Sequence, residues 1–159
     1  MSNKYIITDM TFGERPKVPA VDPEFYKVLG EEGFRAFISD FYDIVIEDDD
    51  ISHFFPQDEK ELAQAKQNAS DFFIQHCGGP KWFDERRGGI SMDQAHDRFS
   101  VTEESREGWL HCLRMALDNL NLDEALKLSY WHSVEVFSKH IVNIKPKGKS
   151  NTELWSGSL

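Results

Sequence analysis

The chain has 159 residues, of which 18 are basic and 28 are acidic, giving a formal net charge of −10. This length suits one domain with a single hydrophobic core, and the acidic balance disfavours nucleic acid or an anionic membrane surface as a partner. No apolar run approaches the length of a membrane span. Because the only cysteines are Cys77 and Cys112, a reducing cytoplasm is the expected location.

The two ends of the chain differ from its centre. Residues 1–23 contain three prolines and no sustained period, so we interpret them as an N-terminal extension that lies over the core or is disordered. Residues 144–159 read as a polar C-terminal tail with Trp155 as its one apolar anchor. The domain itself is therefore expected to span residues 24–143.

Four helices are predicted in the central region from apolar residues that recur at helical spacing. The first ends at the acidic run 47–50, the second follows Pro56 and ends at 78–80, the third begins after Ser100-x-x-Glu103, a capping-box pattern, and the fourth spans about 123–142. Their inner faces are predicted to hold Phe34, Ile38, Phe41 and Val45; Leu62, Ala65, Ala69, Phe72, Phe73 and His76; Trp109, Cys112, Leu113, Ala116 and Leu120; and Leu126, Tyr130, Val134, Phe137 and Ile141. No convincing strand pattern is present, which predicts an all-α fold.

Two features of this pattern bear on function. The segment "GGPKWFDERRGGISMDQAHDRF" (residues 78–99) reads as irregular, and structureless segments of that length in small domains are usually functional or disordered. It contains His96, which on spacing alone is weak evidence for a metal ligand because it is one of six histidines. In the second helix, Ala65 and Ala69 lie one turn apart and leave a hollow that either a neighbouring helix or a ligand fills.

Several stretches resemble, in order, the truncated haemoglobins, and most closely their group II. These are "YKVLGEEGFRAFISDFYDIVIEDDDISHFFP", "FFIQHCGGP", "AHDRF" and "EGWLHCLRMALDN", and the resemblance extends roughly from Phe25 to Asn143. It implies a globin-like two-over-two helical sandwich around haem b, with an irregular proximal segment.

The resemblance also assigns roles to single residues. His96 falls on the proximal iron ligand, and Tyr42 falls on the distal tyrosine whose hydroxyl donates to bound dioxygen. Trp109 falls on a tryptophan beside the haem whose indole N–H reaches the ligand or Tyr42. Ala65 and Ala69 fall on distal positions that line the ligand pocket. Four aromatic side chains are expected to contact the haem, namely Phe55, Phe72, Phe73 and Phe99.

The chain departs from the family pattern just before the proximal histidine, where relatives commonly carry an arginine and this sequence reads Asp93, Gln94 and Ala95. Another cation must therefore anchor the haem propionates. Four candidates occur in the segment, Lys81, Arg86, Arg87 and Arg98, and the sequence leaves the choice between them open. Arg87 is included among the residues expected to bind the haem.

These expectations lead to a cytoplasmic haem protein, a monomer or homodimer, that binds dioxygen, carbon monoxide or nitric oxide and releases dioxygen slowly. An alternative is a haem enzyme that oxidises nitric oxide or reduces peroxide and receives its electrons from a reductase. An alternative of another class is a helical interaction or sensor module that has kept the fold and lost the haem.

Overall fold

The computed structural model describes residues 4–88 and 100–145. These residues form five α-helices and no β-strand, so the all-α prediction is confirmed. The elements in chain order are α1 (Pro23–Val45), a short 3-10 helix (Ser52–Phe54), α2 (Glu59–His76), α3 (Trp82–Arg87), α4 (Glu103–Asp118) and α5 (Glu124–Ser138). No helix in the described ranges is both long enough and apolar enough to cross a bilayer. His96, Phe99, Arg98 and Trp155 lie outside the described residues.

Helix α1 begins where the sequence chemistry favours a start. The side chain of Asp22 accepts a hydrogen bond from the Glu24 amide at 2.9 Å, and Pro23 occupies the first turn, where its missing N–H costs nothing. Gly30 adopts φ 72°, a left-handed conformation that glycine tolerates, and it kinks the helix. After the kink the four residues of the predicted inner face are all buried.

The hydrophobic core lies where α1 packs against α2, α4 and α5. The Phe25 ring stacks on Tyr130 of α5 with centroids 4.6 Å apart, and Phe34 and Phe37 meet Tyr130 edge-on. Such edge and stacked contacts add to the free energy gained by burying the rings. This cluster fixes α5 against α1.

Two helix ends differ from the prediction. Helix α4 is capped by Thr102, whose hydroxyl accepts from the Ser105 amide at 3.0 Å, and not by Ser100. The predicted capping pattern therefore begins two residues too early. Helix α5 ends at Ser138, earlier than the expected Val142. Ends of helices are fixed by such local hydrogen bonds more than by apolar periodicity.

Helix α3 lies inside the segment that the sequence pattern reads as irregular. It has six residues, acidic side chains in its first turn and basic ones in its last, and it ends at Gly88 with φ 70°. Phe83 is buried, and the Asp84 amide donates to the Gln75 side chain at 3.0 Å, which ties α3 to α2. Six residues are too few to show a helical period, so the sequence pattern does not predict this helix.

Residues 4–22, called the N-terminal strap below, lie along α5. Tyr5 is buried, and its ring lies 5.4 Å from that of Trp131. Backbone carbonyls of the strap accept hydrogen bonds from α5 or the turn after it, in the pairs Ile6 with Trp131 (3.0 Å), Asp9 with Lys139 (3.1 Å) and Pro16 with His140 (2.7 Å). From Ile6 to Pro16 the strap thus advances along α5 in the direction of the helix. It then returns, since the Asp22 amide donates to the Ser129 hydroxyl at 2.7 Å.

A buried carboxylate joins three helices, and its replacement gives a stability prediction. Asp71 of α2 accepts from Arg35 of α1 at 2.8 Å and from Arg86 of α3 at 2.9 Å. We expect Asp71→Asn to lower the free energy of unfolding by about 2–3 kcal/mol. This value is smaller than for a fully buried ion pair, because both arginines are partly exposed and water screens them. Urea unfolding measures this loss. The control is Asp43→Asn, since the pair of Asp43 with Lys66 is more exposed, and equal losses in the two variants would contradict the prediction.

Candidate functional site

A cavity of about 370 Å³ opens between α1, α2, α4 and α5. That volume is within the range of small-molecule sites, which are mostly apolar with a few polar groups. Its walls are formed by Tyr42, Ile51, Phe54, Phe55, Pro56, Ala65, Asn68, Ala69, Phe72, Phe73, Phe83, Arg87, Val101, Ser105, Arg106, Trp109, Phe137, Ser138 and Ile141. The cavity is therefore lined mainly by aromatic and aliphatic side chains.

The structure brings most of the predicted site residues together in this cavity. Those that line it are Tyr42, Phe55, Ala65, Ala69, Phe72, Phe73, Arg87 and Trp109. His96 and Phe99 belong to the stretch 89–99, which lies outside the described residues. Arg87 and Val101, close to the two ends of that stretch, both line the cavity.

The hollow beside Ala65 and Ala69 is part of this cavity. Both alanines and Phe72 are only half-buried, because their side of α2 borders open volume rather than a neighbouring helix. The fully buried side of the helix is instead formed by Ser70, Ile74 and their neighbours. Of the two readings of the alanine pair, the described structure favours a ligand space over close helix packing.

Tyr42 lines the cavity and carries a hydroxyl group. Its ring meets Phe55 edge-on at 5.2 Å and Phe41 at 5.9 Å, which restricts its orientation. Burial raises the pKa of Tyr42 to about 12, so the hydroxyl stays protonated at neutral pH and remains a hydrogen-bond donor. Among the described residues, no partner accepts a hydrogen bond from it.

Trp109 supplies a second donor from α4. Its ring lies edge-on to Phe41 at 5.1 Å and nearly parallel to Phe73 at 6.4 Å. The indole N–H, like the Tyr42 hydroxyl, has no acceptor within residues 4–88 and 100–145. Buried Tyr and Trp usually find a partner for their polar atoms. Two unpaired donors on an apolar wall therefore fit a bound ligand that accepts hydrogen bonds.

Arg106 is a cavity residue that the sequence analysis missed. It is buried at the start of the α4 stripe that continues through Leu110, Leu113 and Leu117. The spacing of four, three and four residues places this arginine in an otherwise apolar face of the helix. That position is the one sequence feature that indicates its burial. Because arginine is seldom buried without a partner, the spacing alone assigns this position no role.

The two cavity arginines differ in the donors that they have left for a ligand. The guanidinium N–H groups of Arg106 already bond to Ser138, Glu135 and Glu103. Arg87 lies over the Phe83 ring, 5.7 Å from its centroid, a contact that leaves its N–H groups available. Arg87 is thus better suited than Arg106 to bind an anionic group.

The neighbouring candidate cation is engaged elsewhere. Arg86 donates to Asp71 at 2.9 Å and lies over the Trp82 ring at 5.0 Å. Lys81 precedes α3 and does not line the cavity. Among the predicted propionate anchors that the structure describes, Arg87 alone borders the cavity.

A described part that is all helical, with an aromatic cavity between the helices and two unpaired donors in its wall, has the architecture of a haem globin. Residues 24–143 match the family model described as bacterial-like globin, and the chain belongs to that family.

Relatives in sequence and in structure agree with this assignment. The chain is 28% identical over 118 residues to the group 2 truncated hemoglobin YjbI of Bacillus subtilis, covering 74% of this chain and 87% of that one. It superposes on phosphate-bound Hell's gate globin IV with a TM-score of 0.80, 25% identity, and coverage of 89% and 88%. For the truncated oxygen-avid haemoglobin from Bacillus subtilis the TM-score is 0.69, with 27% identity and coverage of 75% and 98%.

These findings confirm the resemblance drawn from sequence, the two-over-two helical fold and the haem cofactor of this family. The chain is a haem globin, a class of protein that binds small gaseous ligands at iron.

Proposed function

We propose that this protein binds dioxygen reversibly at a haem iron held by His96, and that it releases the ligand slowly. The observation that carries the proposal is the pair of unpaired donors, Tyr42 and Trp109, on one apolar cavity. When bound, the haem supplies an iron with an open coordination position. Dioxygen held there would carry partial negative charge, and Tyr42 and Trp109 would donate hydrogen bonds to it.

The aromatic walls support the placement of the haem ring. Phe55, Phe72 and Phe73 come from two elements and line the cavity together. A flat apolar macrocycle is held chiefly by such contacts, because they remove its faces from water. We assign Arg87 to a haem propionate, since guanidinium pairs well with carboxylate.

The assignment of His96 as proximal ligand rests on its place in the sequence motif "AHDRF". The described residues near both ends of its stretch, Arg87 and Val101, border the cavity. In globins a single proximal histidine holds the haem iron. His76 is a poorer candidate, because its Nε2 already bonds to the Ser133 hydroxyl at 2.8 Å.

Slow release follows from the number of donors. A hydrogen bond to a partly charged acceptor contributes about 1.5–3 kcal/mol, and every 1.4 kcal/mol changes an equilibrium constant tenfold. Two donors acting on one ligand would therefore lower the dissociation rate strongly.

We propose the cytoplasm as the location of the protein, where a reductase keeps the iron ferrous. The two buried free cysteines suit that reducing compartment.

Cycles of oxygenation test the proposal directly. The reduced holoprotein is exposed to air-saturated buffer and then returned to argon, with its visible spectrum recorded at each step. We expect a distinct oxygenated spectrum and recovery of the reduced one over several cycles. Immediate oxidation of the iron, or an unchanged spectrum in air, would overturn the proposal.

The raised pKa of Tyr42 predicts how oxygen release depends on pH. Burial favours the neutral hydroxyl and moves its pKa to about 12, so the donor is present below that pH and is lost only above it. We expect the dissociation rate to change less than about twofold between pH 7 and about pH 10, the ordinary tyrosine pKa. Stopped-flow mixing of the oxygenated protein with carbon monoxide measures the rate. Acceleration with a midpoint near pH 10 would contradict the assignment.

A further inference from the structure

A buried ion pair joins α4 to α5 at the wall of the cavity. The Arg106 guanidinium donates to Glu135 Oε2 at 2.7 Å, and the two side chains are 1% and 2% exposed. Its Nε donates to the Ser138 hydroxyl at 2.8 Å. Arg106 and Ser138 line the cavity, whereas Glu135 lies behind them. Arg106 is therefore the residue of the pair that lines the cavity.

The N-terminal strap completes this pair. Both the backbone amide and the hydroxyl of Thr8 donate to Glu135 Oε2 at 2.7 Å. One carboxylate oxygen thus accepts from Thr8 twice and from Arg106 once. A buried ion pair is stable only when further hydrogen bonds compensate for lost hydration. Thr8 supplies these hydrogen bonds, although it lies far from α5 in the sequence.

A third charge adjoins the pair on its outer side. Glu103 accepts from Arg106 at 3.1 Å and is 26% exposed, so water screens it more than Glu135. At this wall the buried ion pair consists of Arg106, which lines the cavity, and Glu135, which is bonded to it. The strength of the carboxylate's field depends on the donors that Thr8 directs at it.

We propose that the N-terminal strap sets the balance between ferric and ferrous haem through Thr8, Glu135 and Arg106, a role that rests on the proposed function. Oxidised haem carries one more positive charge than reduced haem. A cation in the cavity wall disfavours the oxidised form, and a buried carboxylate behind it favours that form, because fields are weakly screened in the interior. Thr8 and Glu135 are positioning residues, since they act through Arg106 and the field rather than by touching the haem.

Glu135→Gln tests the charge with little change of shape. The amide keeps an oxygen for Arg106 and Thr8 but removes the buried negative charge. We expect the ferric–ferrous equilibrium of the holoprotein to shift toward ferrous iron by about threefold, equivalent to about 28 mV at 59 mV per tenfold change. Spectroelectrochemical titration of the Soret band measures this shift.

Thr8→Val tests the part played by the strap. It removes one donor to the carboxylate and keeps the backbone amide, so the carboxylate's field strengthens. We expect a shift in the opposite direction, toward ferric iron and smaller than that of Glu135→Gln. Thr8 is exposed on its outer side, so this variant is expected to fold even if Glu135→Gln does not.

Ser129→Ala is the matched control. Ser129 accepts a hydrogen bond from the Asp22 amide at 2.7 Å, so its loss loosens the strap without touching the ion pair. Its midpoint potential should equal that of the parent. Equal potentials in Glu135→Gln, Thr8→Val and the parent, or the same shift in the control, would overturn the inference while leaving haem binding intact. Absence of haem uptake in the parent would overturn the proposed function and the inference together.

Discussion

Replacing His96 with alanine is expected to lower the affinity for haem by more than about tenfold, because the bond from imidazole to iron is lost. The remaining aromatic walls would hold the ring only by apolar contact. Titration of apoprotein with haem, followed at the Soret band, measures the change.

Two companion variants make that experiment specific. His132→Ala removes an exposed histidine of α5 and should leave the titration unchanged. His96→Gly with added imidazole should regain the spectrum of the parent, since a free imidazole replaces the missing ligand. If His96→Ala bound haem as tightly as the parent and gave the same reduced spectrum, His96 would not be the iron ligand.

The second large effect is expected for Tyr42→Phe. This change keeps the ring and its contact with Phe55 but removes the hydroxyl donor. We expect dioxygen to dissociate about 10- to 100-fold faster, the factor that corresponds to losing one hydrogen bond to a partly charged acceptor. Stopped-flow displacement by carbon monoxide gives the rate.

The control for this variant uses both another ligand and another tyrosine. Carbon monoxide carries less negative charge than dioxygen when bound, so its dissociation should change little in Tyr42→Phe. Tyr26→Phe removes a hydroxyl from α1 at a position that does not line the cavity. Its dioxygen rate should match the parent. A change below about twofold in Tyr42→Phe would show that the hydroxyl does not reach the ligand.

The residues predicted correctly from sequence are those that obey a helical period. Phe34, Ile38, Phe41 and Val45 are buried because their spacing of three and four residues keeps them on one side of α1. The same spacing on α2 brings Ala65, Ala69 and Phe72 to one wall of the cavity. The individual site roles came from the family motifs, because periodicity alone does not separate a core face from a ligand face.

Other parts of the site depend on contacts that no local pattern records. Arg106 and Glu135 are far apart in sequence, and each reads as a solvated charge until α4 and α5 pack together. Thr8 lies in a proline-containing segment without periodicity, so its two hydrogen bonds to Glu135 were not predictable. Asp71 is buried for a similar reason, since its two arginines come from different helices.

The most direct test of the central claim is the visible absorption spectrum of the purified protein supplied with one equivalent of haem. It is recorded oxidised, reduced with dithionite, and reduced under carbon monoxide. We predict a sharp Soret band that moves when carbon monoxide is added, which reports a bound haem iron with an accessible coordination position. Failure to form a stoichiometric complex even with excess haem would contradict the account and favour a helical module that has lost its cofactor.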